Sequence, residues 1–283
     1  PCYGGEKCDC LVALHALRSF PSIERFAQEH PDRPLIVALT GTDLYGDIHT
    51  DGNARKALEL ATRLIVLQPL GIEELPQDVR GKVRVIRQSA SAPTRRSEPR
   101  RHVFEVCVLG HLRPVKDPFR TAMAADLLPP TSRVRVVHVG EAMTAEMEAL
   151  ASEHTANNPR YHWMGELPRW KALRILARSR LLVLTSRMEG GANVISEAIA
   201  ASRPVISSRI PGSVGLLGPD YPGYFPVGDT RRLASLLSRA EQDDVFHDLL
   251  KARCRELAPL VDPAREVESW NHLMTEVESG SNA

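Results

Sequence analysis

Two glutamates eight positions apart, Glu189 and Glu197, bracket a Gly190–Gly191 turn in the run S-R-M-E-G-G-A-N-V-I-S-E-A. The apolar run ahead of them, Leu181 to Leu184, reads as a buried strand of a parallel sheet. A helix starting near Asn193, a good N-cap residue, carries Val194, Ile195, Ala198 and Ile199 on its inner face. Pro204 stops that helix and Val205–Ile206 begins the next strand. Free backbone N–H groups at a helix start, along Gly190, Gly191, Ala192 and Asn193, make a place for a diphosphate. Glu197, about one turn inside the helix, is then set to accept from a ribose hydroxyl, and Glu189 to face hydroxyls on a bound sugar. A second constellation is G-H-L-R-P-V-K-D, Gly110 to Asp117. A glycine at a strand end lets the backbone turn close to a ligand, and Arg113 and Lys116 follow. Two such cations can neutralise the charges that build on a departing diphosphate as a glycosidic C–O bond breaks. His111, beside Arg113, is a further candidate for sugar or phosphate. The plainer readings are a strand–turn–helix with two solvated glutamates, and two surface cations opening a helix.

These residues need strands and helices to hold them, and the chain supplies them in alternation. The first half reads as strands at Cys10–Leu14, Leu35–Leu39, Leu64–Leu67 and Val83–Ile86. Helices are expected at Ser22–Gln28 and Asn53–Thr62, with a short helical turn at Ile72–Leu75. Alternation of this kind means βαβ units and a parallel sheet, with substrates at the carboxyl ends of the strands. That points to His15, Thr40, Gly41, Asp43, Gln88 and Ser89 as lining residues. His15 is either a hydrogen-bonded core residue or a catalytic group, and Asp43 either orients a hydroxyl or caps a helix. From Ser89 to His102 the composition turns to Ser, Pro, Arg and Glu without periodicity, which reads as a linker. A second α/β series follows. Its strands are Phe104–Leu109, Val134–Val139, Tyr161–Trp163 and Leu181–Leu184. Its helices are Pro118–Leu127, Ala145–Ala156, Arg169–Arg178, one introduced by Gly228–Asp229 and running through Arg239, Asp244–Leu257 and Pro263–Val277. The expected organisation is an incomplete N-terminal domain over residues 1–92, a linker over 93–102, a C-terminal domain over 103–262, and a last helix in 263–283 that packs back toward the first domain.

Composition sets limits. The chain has 283 residues, 43% apolar and 25% charged, with a formal net charge of +1. That is enough for two moderate domains, and it makes no case for nucleic acid or an anionic membrane as partner. No apolar segment approaches the ~20 residues needed to span a bilayer. Cys2, Cys8 and Cys10 crowd the N-terminus while Cys107 and Cys254 stand alone, which reads as reduced thiols in a cytoplasmic protein. No D-x-D metal-chelating pair is present, so metal-independent chemistry with no cofactor is expected. The absence of G-x-G-x-x-G, of G-x-S-x-G and of a P-loop argues against a dehydrogenase, an α/β-hydrolase and a P-loop NTPase.

The Glu189–Glu197 spacing, E-x7-E, together with a glycine followed by Arg113-x-x-Lys116, resembles glycosyltransferase family 4, of the GT-B fold with two Rossmann-like domains facing a cleft. The resemblance implies that Arg113 and Lys116 hold the donor diphosphate and that Gly165, Glu166 and Leu167, in M-G-E-L-P, lie along the base. A closer set of stretches resembles the selenosugar synthases of selenoneine biosynthesis. They are A-L-H-A-L-R-S, H-P-D-R-P-L-I-V-A-L-T-G-T-D-L-Y, G-H-L-R-P-V-K-D-P-F-R, Y-H-W-M-G-E-L-P, S-R-M-E-G-G-A-N-V-I-S-E-A and D-Y-P-G-Y-F-P-V-G-D. What this implies is transfer of the sugar of a UDP-sugar, UDP-N-acetylglucosamine being the expected donor, to selenophosphate with formation of a carbon–selenium bond. Arg113, Lys116, Glu189 and His15 are the expected catalytic set. Arg18, His15 and the Thr40–Thr42 loop are expected to meet the acceptor. Relative to a complete nucleotide-binding fold, roughly two βα units are expected to be missing ahead of Cys10, leaving an unsupported sheet edge. Two other readings stand beside this one: a family 4 enzyme with a sugar or lipid hydroxyl as acceptor, and a non-catalytic nucleotide-sugar-binding protein.

Overall fold

The computed structural model describes residues 2–91 and 102–280. The linker expected at 93–102 lies outside the described residues except for His102. The chain divides into two compact units, Pro1–Gln88 with Met188–Gly191 and Pro263–Ala283, and Ser89–Arg187 with Ala192–Asp262.

The first unit holds a parallel sheet of four strands in sequential order: β1 (Leu11–Leu14), β2 (Leu35–Ala38), β3 (Arg63–Val66) and β4 (Val83–Val85). All four residues of β2 are buried, as a central strand covered on both faces requires. The pleat divides its neighbours. Leu35, Val37, Leu64 and Val66 pack with α1 (Phe20–Glu29) and α3 (Gly52–Leu60), which follows the single turn α2 (Ile48–Thr50). Helix α1 buries Phe20, Ile23 and Phe26 along one stripe. Helix α3 is capped by Asp51, whose carboxylate accepts from the N–H groups of Asn53 and Ala54 at 2.8 and 3.1 Å. Ile36, Ala38, Ile65 and Ile86 point the other way and meet Leu273 and Val277 of the C-terminal helix, Pro263–Gly280. Glu276 of that helix accepts from Arg63 Nε at 3.1 Å and Arg84 Nε at 2.9 Å, tying it to β3 and β4.

The second unit has six parallel strands. They are β5 (Phe104–Leu109), β6 (Val134–Val139), β7 (Tyr161–Trp163), β8 (Leu181–Leu184), β9 (Val205–Ser208) and β10 (Tyr224–Phe225), in the order β10-β9-β8-β5-β6-β7. Helices α4 (Arg120–Asp126), α5 (Ala145–Asn157), α6 (Arg169–Arg178), α7 (Asn193–Ala200), α8 (Pro211–Leu217), α9 (Thr230–Gln242) and α10 (Asp244–Glu256) connect and cover them. The chain winds outward from β5 through β6 to β7, then returns to the other side of β5 with β8. In doubly wound sheets, ligands bind outside the carboxyl ends of the strands at this reversal. The loops that follow β5 and β8 are therefore the ones to inspect.

The alternation read from sequence matches the architecture, and the differences are local. Helix α8 and strand β10 have no counterpart in the sequence reading. P-G-S-V-G-L-L carries two glycines that lower helix propensity, and β10 is only two residues paired with Ser207 and Ser208. Helix α4 begins at Arg120 and not at Pro118, because Asp117 is left-handed (φ 45°) after a 3₁₀ turn at Pro114–Lys116. Asn193 is the first helical residue of α7 and not its cap. The cap position is Ala192, extended and without a side-chain bond to the helix.

Candidate functional site

In the second unit the loop after β5 holds Gly110, His111, Arg113 and Lys116. Gly110 borders open space, with nothing within 4 Å of where a Cβ would stand. Gly140, at the end of β6, is a glycine for a different reason: a Cβ there would fall 1.9 Å from the carbonyl oxygen of Gly110. The two strand ends thus lie backbone against backbone, and the Gly140 N–H continues the chain of contacts to Gly165 O at 2.9 Å. Gly165 is left-handed (φ +66°) and also borders open space. His138 supports this layer from below. Gly110 O can only accept, so His138 Nε2 (3.2 Å) carries the proton, and Nδ1 (2.8 Å) accepts from the Tyr161 hydroxyl. Burial pushes the His138 pKa down to about 4, so the ring is neutral near pH 7. His111 is exposed, and its Nδ1 accepts the Glu141 N–H at 3.1 Å.

The turn that carries the two cations is fixed from β8. Thr185, just after β8, donates its hydroxyl to the carbonyls of Lys116 (2.9 Å) and Asp117 (3.0 Å), and the Arg187 N–H bonds Val115 O at 2.8 Å. Asp117 in turn accepts from Arg120 Nε at 2.9 Å and Nη2 at 3.2 Å. Arg113 is held differently. Its Nε is buried and has no hydrogen-bond partner among the described residues, and the same is true of Asn193 Oδ1 at the start of α7. Buried polar atoms are nearly always paired, so both atoms are open to a further polar partner. Glu197, one turn into α7, is mostly buried, and its Oε1 accepts from Arg169 Nη2 at 2.9 Å. Burial raises the Glu197 pKa, and the Arg169 charge and hydrogen bond oppose the rise. Through Arg169, the loop carrying Gly165 and Leu167 is joined to α7. Gly110, His111, Arg113, Lys116, Gly165, Leu167, Ala192, Asn193 and Glu197 therefore gather at the carboxyl ends of neighbouring strands.

Met188–Gly191 clusters with the first unit, so Glu189, Gly190 and Gly191 belong there. The two glycines are demanded by the protein's own packing. A Cβ on Gly190 would stand 2.6 Å from the Thr40 carbonyl, and one on Gly191 2.6 Å from Leu67 Cβ. The space beside Gly190 and Gly191, expected to be open for a diphosphate, is filled by Thr40 and Leu67.

The remaining first-unit residues form one hydrogen-bonded knot. Asp43 is fully buried and accepts from the N–H of Ala16 (2.9 Å), the N–H of Thr40 (2.8 Å) and the Thr40 hydroxyl (2.8 Å). It thereby pins the loop after β1 to the loop after β2, where a single π-helical turn runs Asp43–Asp47. His15 sits left-handed (φ 74°) in the first of these loops. Its Nδ1 accepts the Arg18 N–H at 3.3 Å, so the neutral ring is protonated at Nε2, which donates to Thr42 Oγ1 at 2.9 Å. Asp47, absent from the sequence reading, lies 3.7 Å from that Nε2. Arg18 and Thr42 are exposed and Gly41 lies close to Gly190. Sequence reasoning also missed Arg169, Asp117 and Thr185. The Asp117–Pro118 dipeptide was the one local signal, a turn former with an aspartate that tolerates the left-handed region.

Among the described residues no group of three or more His, Cys, Asp or Glu side chains is arranged to hold a metal ion. No helix among them is long and apolar enough to cross a membrane.

A doubly wound parallel unit with unsatisfied polar atoms at its strand reversal, in one chain with a second parallel α/β unit, is an α/β fold of the GT-B type. Solved structures share it. HepE of Anabaena in complex with UDP-glucose superposes with a TM-score of 0.76 at 18% identity, covering 96% of this chain and 79% of that one. Sucrose-phosphate synthase from Thermosynechococcus elongatus gives 0.77 at 18% identity, over 96% and 74%. The pneumococcal O-GlcNAc transferase GtfA in complex with UDP and GlcNAc gives 0.75 at 15% identity, over 94% and 56%. No curated protein sequence matches the chain. The family model of glycosyl transferases group 1 matches residues 94–258, more than half of the chain, and the protein belongs to that family.

Proposed function

We propose that the protein is a UDP-sugar-dependent glycosyltransferase that joins the sugar of UDP-N-acetylglucosamine to selenophosphate. In the step proposed, the C1–O bond to the diphosphate breaks with its electron pair leaving on UDP. A C1–Se bond forms from the selenium lone pair, giving UDP and a sugar linked through selenium to the phosphoryl group, which water then removes as phosphate.

The observation that carries the donor assignment is the pair of orphaned polar atoms, Arg113 Nε and Asn193 Oδ1, at the reversal of the second sheet. A diphosphate satisfies the guanidinium, and a nucleotide hydroxyl can satisfy the amide oxygen. Arg113 and Lys116 then stabilise the charge on departing UDP, in place of a metal ion. Glu197 accepts from the ribose, Glu189 serves the sugar hydroxyls, and Gly165 and Leu167 lie along the base. UDP in HepE and GtfA, on the same fold, supports a uridine nucleotide.

Selenophosphate as acceptor is supported by the sequence stretches quoted above. An alcohol needs a base within hydrogen-bond reach, whereas an anionic selenium nucleophile does not. The test is mass spectrometry of the protein mixed with UDP-N-acetylglucosamine and freshly generated selenophosphate. A selenium isotope pattern on a hexosamine mass, with UDP released, is the expected result. UDP release without selenium transfer would discard the acceptor and keep the donor, and UDP binding without release would leave a binding protein.

A further inference from the structure

Strand β4 continues into Ile86, whose N–H bonds Val66 O at 3.1 Å and whose side chain packs against Leu273 of the C-terminal helix. Arg87 follows at the carboxyl end of this strand. Three other arginines of the first unit are satisfied: Arg63 and Arg84 share the Glu276 carboxylate, and Arg80 donates to the carbonyls of Leu75 and Glu73. Arg87 is half-buried, and its Nε is fully buried with no hydrogen-bond partner among the described residues. The charge that acts on it is a second cation, the exposed Arg265 in the first turn of the C-terminal helix. Burial and that like charge both lower the Arg87 pKa.

A guanidinium taken partly out of water, with another guanidinium acting on it, loses solvation and gains no Coulomb attraction in exchange. Such an arrangement is stable only weakly unless an anion joins it. We propose that Arg87 and Arg265 form an anion-binding site at the carboxyl end of β4, for a small oxyanion of the phosphate class. Two forked cations match a group with several acceptor oxygens, and two positive charges match a dianion. A phosphate-type group carries nearly two charges near neutral pH and a single carboxylate carries one. The proposal rests on these two side chains and stands whether or not the donor and acceptor named above are correct.

The test is thermal unfolding of the full chain at pH 7.5 during titration with inorganic phosphate, against chloride at matched ionic strength. The wild type, Arg87→Gln, Arg265→Gln and Arg113→Ala are compared. Arg113→Ala removes the other orphaned guanidinium and so separates the two places phosphate could bind. Phosphate at about ten times its dissociation constant is expected to raise the midpoint by roughly 2–4 °C in the wild type and in Arg113→Ala, with no matching rise in chloride. Arg87→Gln is expected to abolish the rise and Arg265→Gln to weaken phosphate about tenfold or more. Without phosphate, Arg87→Gln is expected to melt no lower than the wild type, since no partner is lost. A phosphate response that survives both substitutions, or that disappears only in Arg113→Ala, would overturn the site. So would a large fall in the Arg87→Gln midpoint without phosphate. If that variant does not fold, Arg265→Gln, on the surface, decides the matter alone.

Discussion

The two units are built from the same parallel α/β plan, yet their strand ends are finished in opposite ways. At the strand ends of the first unit, polar groups mostly serve one another: Asp43 takes three hydrogen bonds, and His15 engages both ring nitrogens with Arg18 and Thr42. At the reversal of the second unit, Arg113 Nε and Asn193 Oδ1 are buried and have no hydrogen-bond partner among the described residues. A group that is already paired contributes to stability, while one left unpaired by the fold is available to a ligand at the expense of stability. Polar side chains at the strand ends of the two units are therefore left in different states. Arg87 is the exception in the first unit, and it carries the signature found at Arg113.

Substitutions can break this comparison. Asp43→Ala leaves the N–H groups of Ala16 and Thr40 unpaired in a buried place. Urea unfolding should show a loss of roughly 3–5 kcal/mol; a loss below about 1 kcal/mol would mean that the knot is not structural. Arg113→Ala should do the reverse. Turnover is expected to fall about 10²–10³-fold while the unfolding midpoint changes little, because no protein partner is lost. An unchanged rate would remove Arg113 from the reaction.

His138 sharpens the comparison through pH. Its folded pKa of about 4 lies below the unfolded value near 6.5, so the unfolded chain binds more protons between these values. Stability from this group is complete above pH 6.5 and is lost as pH falls toward 4, by about 2 kcal/mol at pH 5. His138→Asn should lack this part of the acid loss when wild type and variant are compared at pH 7.5 and pH 5; identical slopes would show that the ring does not carry it. The smallest effect is expected at Arg169. Without its charge, burial acts on Glu197 unopposed, so its pKa rises further. Arg169→Ala should raise the KM for donor several-fold and move the acid limb of kcat/KM to higher pH, with kcat nearly unchanged and Arg169→Lys partly restoring the profile. A fall in kcat with no shift of that limb would make Arg169 a structural residue.

Much of the scaffold is legible in the sequence because buried parallel strands are short apolar runs. Leu35–Ala38 and Leu181–Leu184 could be little else. The proposed donor-side residues stand out in the sequence because they lie close together in it: Gly110 to Lys116 is one contiguous motif, and Glu189 and Glu197 are held at a fixed spacing. Strand order is not written locally, so the reversal beside β5 emerges only from the structure. Nor are pairings between distant segments. Glu197 with Arg169, Asp43 with Ala16, and Arg87 with Arg265 each join residues that no local pattern relates. The Gly190–Gly191 turn shows the opposite hazard. Its glycines look placed for a ligand, and in the fold they make room for Thr40 and Leu67.

On the function proposed, the second unit alone supplies the nucleotide's polar partners. Amide hydrogen exchange with and without saturating UDP tests it most directly. Exchange is expected to slow over residues 110–116, 165–167 and 193–197, with the Asp43 knot at 15–18 and 40–47 unchanged. Slowing confined to the first unit, or no slowing anywhere, would contradict it.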